Sequence, residues 1–326
     1  MYPRKILVAV KRLDAKSLPA VLKAAQIARA CGADIELFHA LSEPLYLDLI
    51  DAGKLGVDKL EEQLCIRARQ KLERIAERLR VHAIRVTVAA AWDFPVHEAI
   101  VRRALASKAD LIVVQRYAGR HGAAGLLQLT DWELVKSCPM PLLLVKSPKP
   151  YRRPAVLAAI DPTHRFAKTS QLDQAILRTA GRLCQQLRGT LHAVHAYEPA
   201  LGVEGLTAPL VEALLRESRE VAATRFSRAV GAAKIARARR YLIAGRPIDA
   251  IAEAAQRSHS AVVVMGAVSR SGLKRLLIGN TAERILDELS CDILVVKPEG
   301  FRLPVGLRAR GARLRVASPV SMMGFF

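Results

Sequence analysis

The sequence is written twice. KILVAVKRLDA near the start resembles AVLAAIDPTHR from Ala155, with 150 residues between Ile6 and Val156. SCPMPLLLVKSP from Ser137 resembles SCDILVVKPEG from Ser290, with 153 residues between Cys138 and Cys291. Between these anchors DLIVV (110–114) parallels AVVVM (261–265), and Pro95 and Pro247 open matching helical stretches. A period this long is that of a domain, not of a solenoid repeat. The 326 residues therefore hold two copies of one fold, each of ordinary domain size.

Each copy alternates strand and helix. Short β-branched or leucine-rich runs mark strands at 6–10, 35–40, 84–89, 111–114 and 142–145, and again at 156–160, 191–196, 240–244, 262–265 and 293–296. Such runs suit strands buried on both faces. Between them lie helical patterns. Ser17 and Pro19 supply a cap and a first-turn proline for one. Leu60, Leu64, Ala68, Leu72, Ile75 and Leu79 share a face of another. Alternation of this kind implies right-handed crossovers and a parallel sheet. The fold class is thus α/β, two tandem doubly wound domains, each a five-stranded parallel sheet flanked by helices. The first domain spans 1–148, a proline-rich linker 149–154, the second domain 155–299. A basic tail of five arginines without usable period, 300–326, is expected to be disordered.

Net charge is +21, from 51 basic and 30 acidic residues. The charges are spread along the helices, and aromatic residues are only 5% of the chain, so no basic–aromatic run builds a stacking platform for single strands. Nucleic-acid binding is expected to be weak and non-specific, much of it through Arg302, Arg308, Arg310, Arg313 and Arg315. Five widely spaced cysteines without a C-x-x-C imply reduced, mostly buried thiols. No apolar run reaches the roughly 18 residues of a membrane span, and the N-terminus lacks the apolar region of a secretory signal. The expected location is the cytoplasm.

Ligands of parallel α/β sheets bind beyond the carboxyl ends of the strands, where strand order reverses. In the second half three segments should meet there: Asp161 after the first strand, Met265–Gly266 ending the fourth, and Gly279-Asn280-Thr281 before the last helix. A helix N-terminus offers free N–H groups to an anion, and glycines let the backbone approach it. A capping box, Asn280-x-x-Glu283, explains Asn280 and Glu283 by itself, and Thr130-x-x-Glu133 has the same form in the first half.

Gly266-Ala-Val-Ser269, nine residues, then Gly279-Asn280-Thr281 resembles the loop of the universal stress protein family, G-x2-G-x9-G-[ST]. TDWELVKSCPMPLLLVK, from Thr130, is similar to the first repeat of the tandem, E-type branch. The resemblance implies a cytoplasmic stress-response protein supporting survival under starvation or DNA damage. It implies a nucleotide of the ATP type held by Asp161, Met265, Gly266, Ser269, Gly279, Asn280 and Thr281, with Asp161 on the nucleoside. It also implies pseudo-twofold pairing of the two domains, with LLLV and ILVV near the shared edge. Ser269 departs from the family's second glycine and Asn280 from its hydroxyl, so the site is degenerate.

The first half has lost the pattern. Lys11 stands at the place of Asp161, Gln115 at that of Gly266, and Leu129 at that of Gly279. Other candidates are weaker. His192 and His195, three apart in a strand, face opposite sides. Asp161 and His164 have only loop spacing. No metal run and no G-x-S-x-G occurs, so no catalytic site is expected beyond slow nucleotide hydrolysis. Residues 40–55 and 196–211 form long leucine-, proline- and glycine-bearing segments, suited to an apolar small molecule or to packing over the sheet. A partner-binding scaffold and a basic nucleic-acid binder are the alternative function classes.

Overall fold

A computed structural model describes residues 3–41, 45–47, 54–116, 124–163, 170–198, 207–267, 288–298, 300–301, 306, 308–309 and 314–316. The first domain contains β1 (Lys5–Ala9), α1 (Pro19–Cys31), β2 (Asp34–Leu41), β3 (Leu45–Leu47), α2 (Lys54–Arg80), β4 (Val86–Trp92), α3 (Val96–Ala106), β5 (Leu111–Gln115), α4 (Ala124–Ser137) and β6 (Leu142–Val145). The second contains β7 (Ala155–Ala159), α5 (Ser170–Leu187), β8 (Thr190–Tyr197), α6 (Ala208–Gly231), β9 (Arg240–Ala244), α7 (Pro247–Arg257), β10 (Val262–Gly266) and β11 (Asp292–Val296). A last short strand, β12, covers Leu314–Val316.

All ten expected strands are present, and they form one ten-stranded sheet ordered β4-β2-β1-β5-β6-β11-β10-β7-β8-β9. Every neighbouring pair is parallel except the central one, where β6 and β11 run antiparallel with Leu144 opposite Ile293 and Leu142 opposite Val295. The order within each half is therefore the same, read outward from this seam. An unpaired edge strand is a template for unwanted association. Here each domain covers the other's edge, and Leu142 to Val145 and Ile293 to Val296 are buried. The strands are apolar on both sides because both faces are covered. Ile6 and Val8 belong to one core cluster, Leu7 and Ala9 to the other.

The seam is reinforced by a reciprocal contact. Lys146, just after β6, donates from Nζ to the carbonyl of Leu289 in the second domain. Lys297, just after β11, donates to the carbonyl of Lys136, in the last turn of α4, at 3.4 Å. A cation at a helix C-terminus meets unsatisfied carbonyls and the negative end of the dipole.

The linker is not a loose tether. Tyr151 is 7% exposed. Its N–H donates to Gln26 Oε1 (2.9 Å), and its carbonyl accepts from Gln26 Nε2 (3.1 Å). Its hydroxyl donates to Asp292 Oδ2 at 2.6 Å, the same oxygen that accepts from Lys23 Nζ at 2.5 Å. Asp292 Oδ1 accepts the N–H groups of Lys146 (2.9 Å) and Ser147 (3.0 Å). Burial, and then the charge of Asp292, push the Tyr151 phenol well above its usual range.

Several local expectations are corrected. Helix α1 begins at Pro19 as expected, but its cap is Leu18, without a side-chain hydrogen bond, so Ser17 does not cap. Thr130 lies inside α4, six positions after its first residue, so Thr130-x-x-Glu133 is not a capping box. In α2 the buried stripe is Cys65, Ala68, Leu72, Ala76 and Leu79, while Leu60 is 37% exposed. The tail is not wholly without structure: the alternating Leu-Arg-Val of β12 pairs in parallel with Leu45-Tyr46-Leu47 of β3. Gly306 nearby accepts a hydrogen bond from Arg102 at 3.2 Å. All five cysteines are free and four are buried. Burial pushes the thiols of Cys138 and Cys184 up to about 12. Among the described residues, no helix is long and apolar enough to cross a membrane, and no group of three or more His, Cys, Asp or Glu could hold a metal.

Candidate functional site

Strand order in the second domain reverses at β7, which lies between β10 and β8. Ala159 of β7 pairs with Met265 of β10, so Asp161 and Gly266 stand beyond adjacent carboxyl ends. The N–H of Asp161 donates to Asp173 Oδ1 of α5 at 3.1 Å. Oδ1 of Asp161 accepts the hydroxyl of Thr163 at 2.7 Å. Oδ2 is buried and has no hydrogen-bond partner among the described residues. An unsatisfied buried polar atom is costly and calls for an explanation.

Gly266 has a packing reason as well. A Cβ there would lie 2.7 Å from Leu172 Cδ2, and Leu172, in the first turn of α5, is fully buried. Met265 is buried in the core cluster on one sheet face. Ser269, Gly279, Asn280 and Thr281, together with the box Asn280-x-x-Glu283, lie outside the described residues, as does His164. The structure thus brings together Asp161, Met265 and Gly266 and leaves the rest of the expected loop undescribed. Gly266→Ala is expected to destabilise the fold by about 1–3 kcal/mol through overpacking, read as a lower midpoint in urea denaturation. No change in midpoint would mean that Leu172 yields freely.

The matching place in the first domain is built differently. Lys11, at the place of Asp161, pairs through Nζ with Asp131 Oδ1, and both are buried at their side chains. Asp131 stands 150 residues before Thr281. Burial raises its carboxyl above the usual range, against the pull of Lys11 and Arg116. Arg116, buried after β5, lies 5.9 Å over the ring of Trp132. A buried ion pair thus occupies the place after β1 that matches Asp161 after β7. Reading the repeats found Lys11 but not Asp131; the 150-residue offset, carried on to Thr281, would have named it.

Reading the sequence also missed Lys297. It follows β11, is 9% exposed, and donates from Nζ to the carbonyl of Ala267, directly after Gly266, at 3.1 Å. Its ammonium lies 4.6 Å over the ring of Phe301. Besides the Lys136 carbonyl, the titratable group that faces it is Cys138. Burial lowers its pKa to about 8. A lysine whose folded pKa is depressed contributes stability above its unfolded value and loses it as pH falls through the folded one. Lys297→Met should therefore be more stabilising at pH 7 than at pH 10, by about 2–3 kcal/mol. Denaturant titrations of both proteins at the two pH values check this, and an unchanged difference would contradict it.

The two histidines of β8 part as expected. His192 stacks on Tyr241 of β9 at 6.0 Å, whereas His195 is buried 5.9 Å from Phe226 of α6. Burial, with Arg239 nearby, lowers the pKa of His192. Residues 42–44, 48–53 and 199–206, most of the two long segments expected to line an apolar cleft, lie outside the described residues. Of the tail arginines, Arg308 is exposed and Arg315 lies in β12; the other three are outside the described residues.

The fold and the site together define a tandem pair of doubly wound domains joined edge to edge. At the strand-order switch one carries Asp161 after its first strand, and the other carries at the matching place a lysine paired with Asp131. The profile of the universal stress protein family matches residues 3–146 and 155–297. The chain belongs to the universal stress protein family, with two copies of its domain. It is 27% identical over 233 residues to universal stress protein E of Escherichia coli K12, covering 68% of this chain and 71% of that protein. The homologue from Photorhabdus laumondii is 25% identical over 231 residues, covering 68% and 72%. Among solved structures, a functionally unknown protein of Pseudomonas aeruginosa PAO1 superposes with a TM-score of 0.69 at 25% identity, over 91% of this chain and 93% of that one. A universal stress protein of Archaeoglobus fulgidus shares the fold, with a TM-score of 0.60 at 15% identity, over 90% and 98%.

Proposed function

We propose that this tandem universal stress protein is a cytoplasmic binding protein of the stress response, with one degenerate site for a nucleotide of the ATP type in its second domain. The observation that carries the reading is Asp161 Oδ2, buried at the strand-order switch without a partner among the described residues. A ribose hydroxyl is a donor of the right kind for that oxygen. Asp161 would hold the nucleoside. Backbone N–H groups around Gly266 and Gly279 would approach the phosphates, and Asn280 and Thr281 at the head of the last helix would donate to them. Ser269 stands where the family pattern has its second glycine, and its Cβ would narrow the approach. The nucleotide would bring its own charge and phosphate chemistry, while the chain's groups bind and orient it. No group of this set is a committed base or nucleophile, so binding with at most slow hydrolysis is the expected activity. A role in surviving starvation or DNA damage follows from kinship with the tandem branch.

Calorimetric titration with ATP tests this. One saturable site per chain is expected; no heat at millimolar ATP would contradict it.

A further inference from the structure

A groove of about 960 Å³ runs between α5 and α6 on the outer face of the second domain. Its floor is made by small residues, Gly181, Ala229 and Ala233, beside Leu177 and Leu191. Gly181 leaves the floor low: a Cβ there would rest on Leu191 in ordinary contact at 3.8 Å. Arginines line both rims, Arg178 and Arg182 on α5 and Arg225 and Arg228 on α6. Among the described lining residues the carboxylate is that of Asp173, whose Oδ1 accepts the N–H of Asp161, and Arg225 donates to the carbonyl of Thr163 at 3.4 Å. Between the first two helices of the first domain the corresponding cavity is only about 400 Å³, and branched side chains, Val21, Ile75 and Leu79, occupy it.

We propose that the α5–α6 groove is a docking site for an acidic amphipathic helix of a protein partner. The rim arginines recur at i, i+4 on α5 and at i, i+3 on α6, about one helical turn apart. Carboxylates on a helix lying in the groove recur at the same interval, so both rims are met in register. The floor is apolar and made of small side chains, which lets a third helix come close to the 8–10 Å typical of packed axes. The groove is open along its length, and Arg178, Arg225 and Arg228 are exposed. From Gln174 to Gln185, α5 offers about 16 Å, room for three turns. A guanidinium binds a carboxylate with two parallel hydrogen bonds, which fixes orientation as well as charge. Other anions fit less well. A nucleic-acid backbone would set charge against Leu177 and Leu191, and an acyl chain would leave one side in water. A net charge of +21 further favours an acidic partner. The inference stands on the groove alone and does not depend on nucleotide binding.

The test is fluorescence anisotropy with a labelled synthetic 18-residue peptide, Leu and Ala on one face and Glu along both flanks. A shuffled peptide of the same composition, without the apolar face, is the comparison. The ordered peptide should bind at least about tenfold more tightly than the shuffled one. Arg178→Glu with Arg228→Glu should weaken binding at least about tenfold, and so should Ala232→Trp, which fills the mouth of the groove from an exposed position. Circular dichroism and melting should be unchanged in these variants, and Arg74→Glu with Arg78→Glu, beside the smaller groove, should leave affinity as it is. Equal binding of the shuffled peptide, or binding that survives the arginine reversal, would overturn the proposal. Displacement by oleate or by a short DNA duplex at lower concentration than unlabelled peptide would also overturn it and assign the groove to that chemistry.

Discussion

Asp292→Ala is expected to destabilise the chain by about 3–5 kcal/mol, the cost of removing one partner from a buried ion pair. Asp292 is fully buried, and Lys23 is 2% exposed. The carboxylate is the common acceptor for Lys23, for the Tyr151 hydroxyl and for the N–H groups of Lys146 and Ser147. Its loss leaves an ammonium and three neutral donors buried together. The Tyr151 ring, 4.7 Å from Lys23 Nζ, offers the cation a partial substitute only. These groups come from α1, from the linker and from the first residue of β11, so the damage should fall on the union of the two domains. Lys23→Met combined with Asp292→Leu removes both charges and should recover much of the loss. Urea denaturation measures both. A loss below about 1 kcal/mol for Asp292→Ala would mean that water enters and solvates Lys23.

Much of this architecture is legible in the residues, for a physical reason. Strands buried on both faces must be apolar at every position, so runs such as LIVV and VVVM stand out without periodicity. The duplication then checks each strand against its copy. The central seam is harder to see. LLLV and ILVV look like any other buried strand, and only kinship places them at a shared edge. Tyr151, Lys23 and Asp292 are invisible to local reading because their union spans up to 269 positions. The capping boxes show the limit of short motifs. Thr130-x-x-Glu133 satisfies the pattern, yet the apolar residues before it carry α4 through. The site is legible only in part. Asp161 follows from its place after β7, but Asp131 and Lys297 appear only once the sheet is assembled. Gly266 carries two explanations, a ligand's approach and the packing of Leu172, and sequence alone offers only the first.

The central claim is that the second domain alone retains a ligand site, with Asp161 as its anchor. A hydrogen bond to a charged group contributes about 1.5–3 kcal/mol, so Asp161→Ala should weaken ATP roughly ten- to a hundredfold. Lys11→Ala, at the matching place in the first domain, removes a residue already engaged by Asp131 and should leave ATP affinity unchanged, whatever it does to stability. Neither variant needs the other to be interpreted, since each is compared with the wild type at a temperature where all three are folded. The most direct measurement is calorimetric titration of ATP into the wild type, Asp161→Ala and Lys11→Ala under one buffer. The account predicts one site per chain, lost or weakened at least about tenfold in Asp161→Ala and intact in Lys11→Ala. Equal affinity in the wild type and Asp161→Ala, or a loss confined to Lys11→Ala, would contradict it.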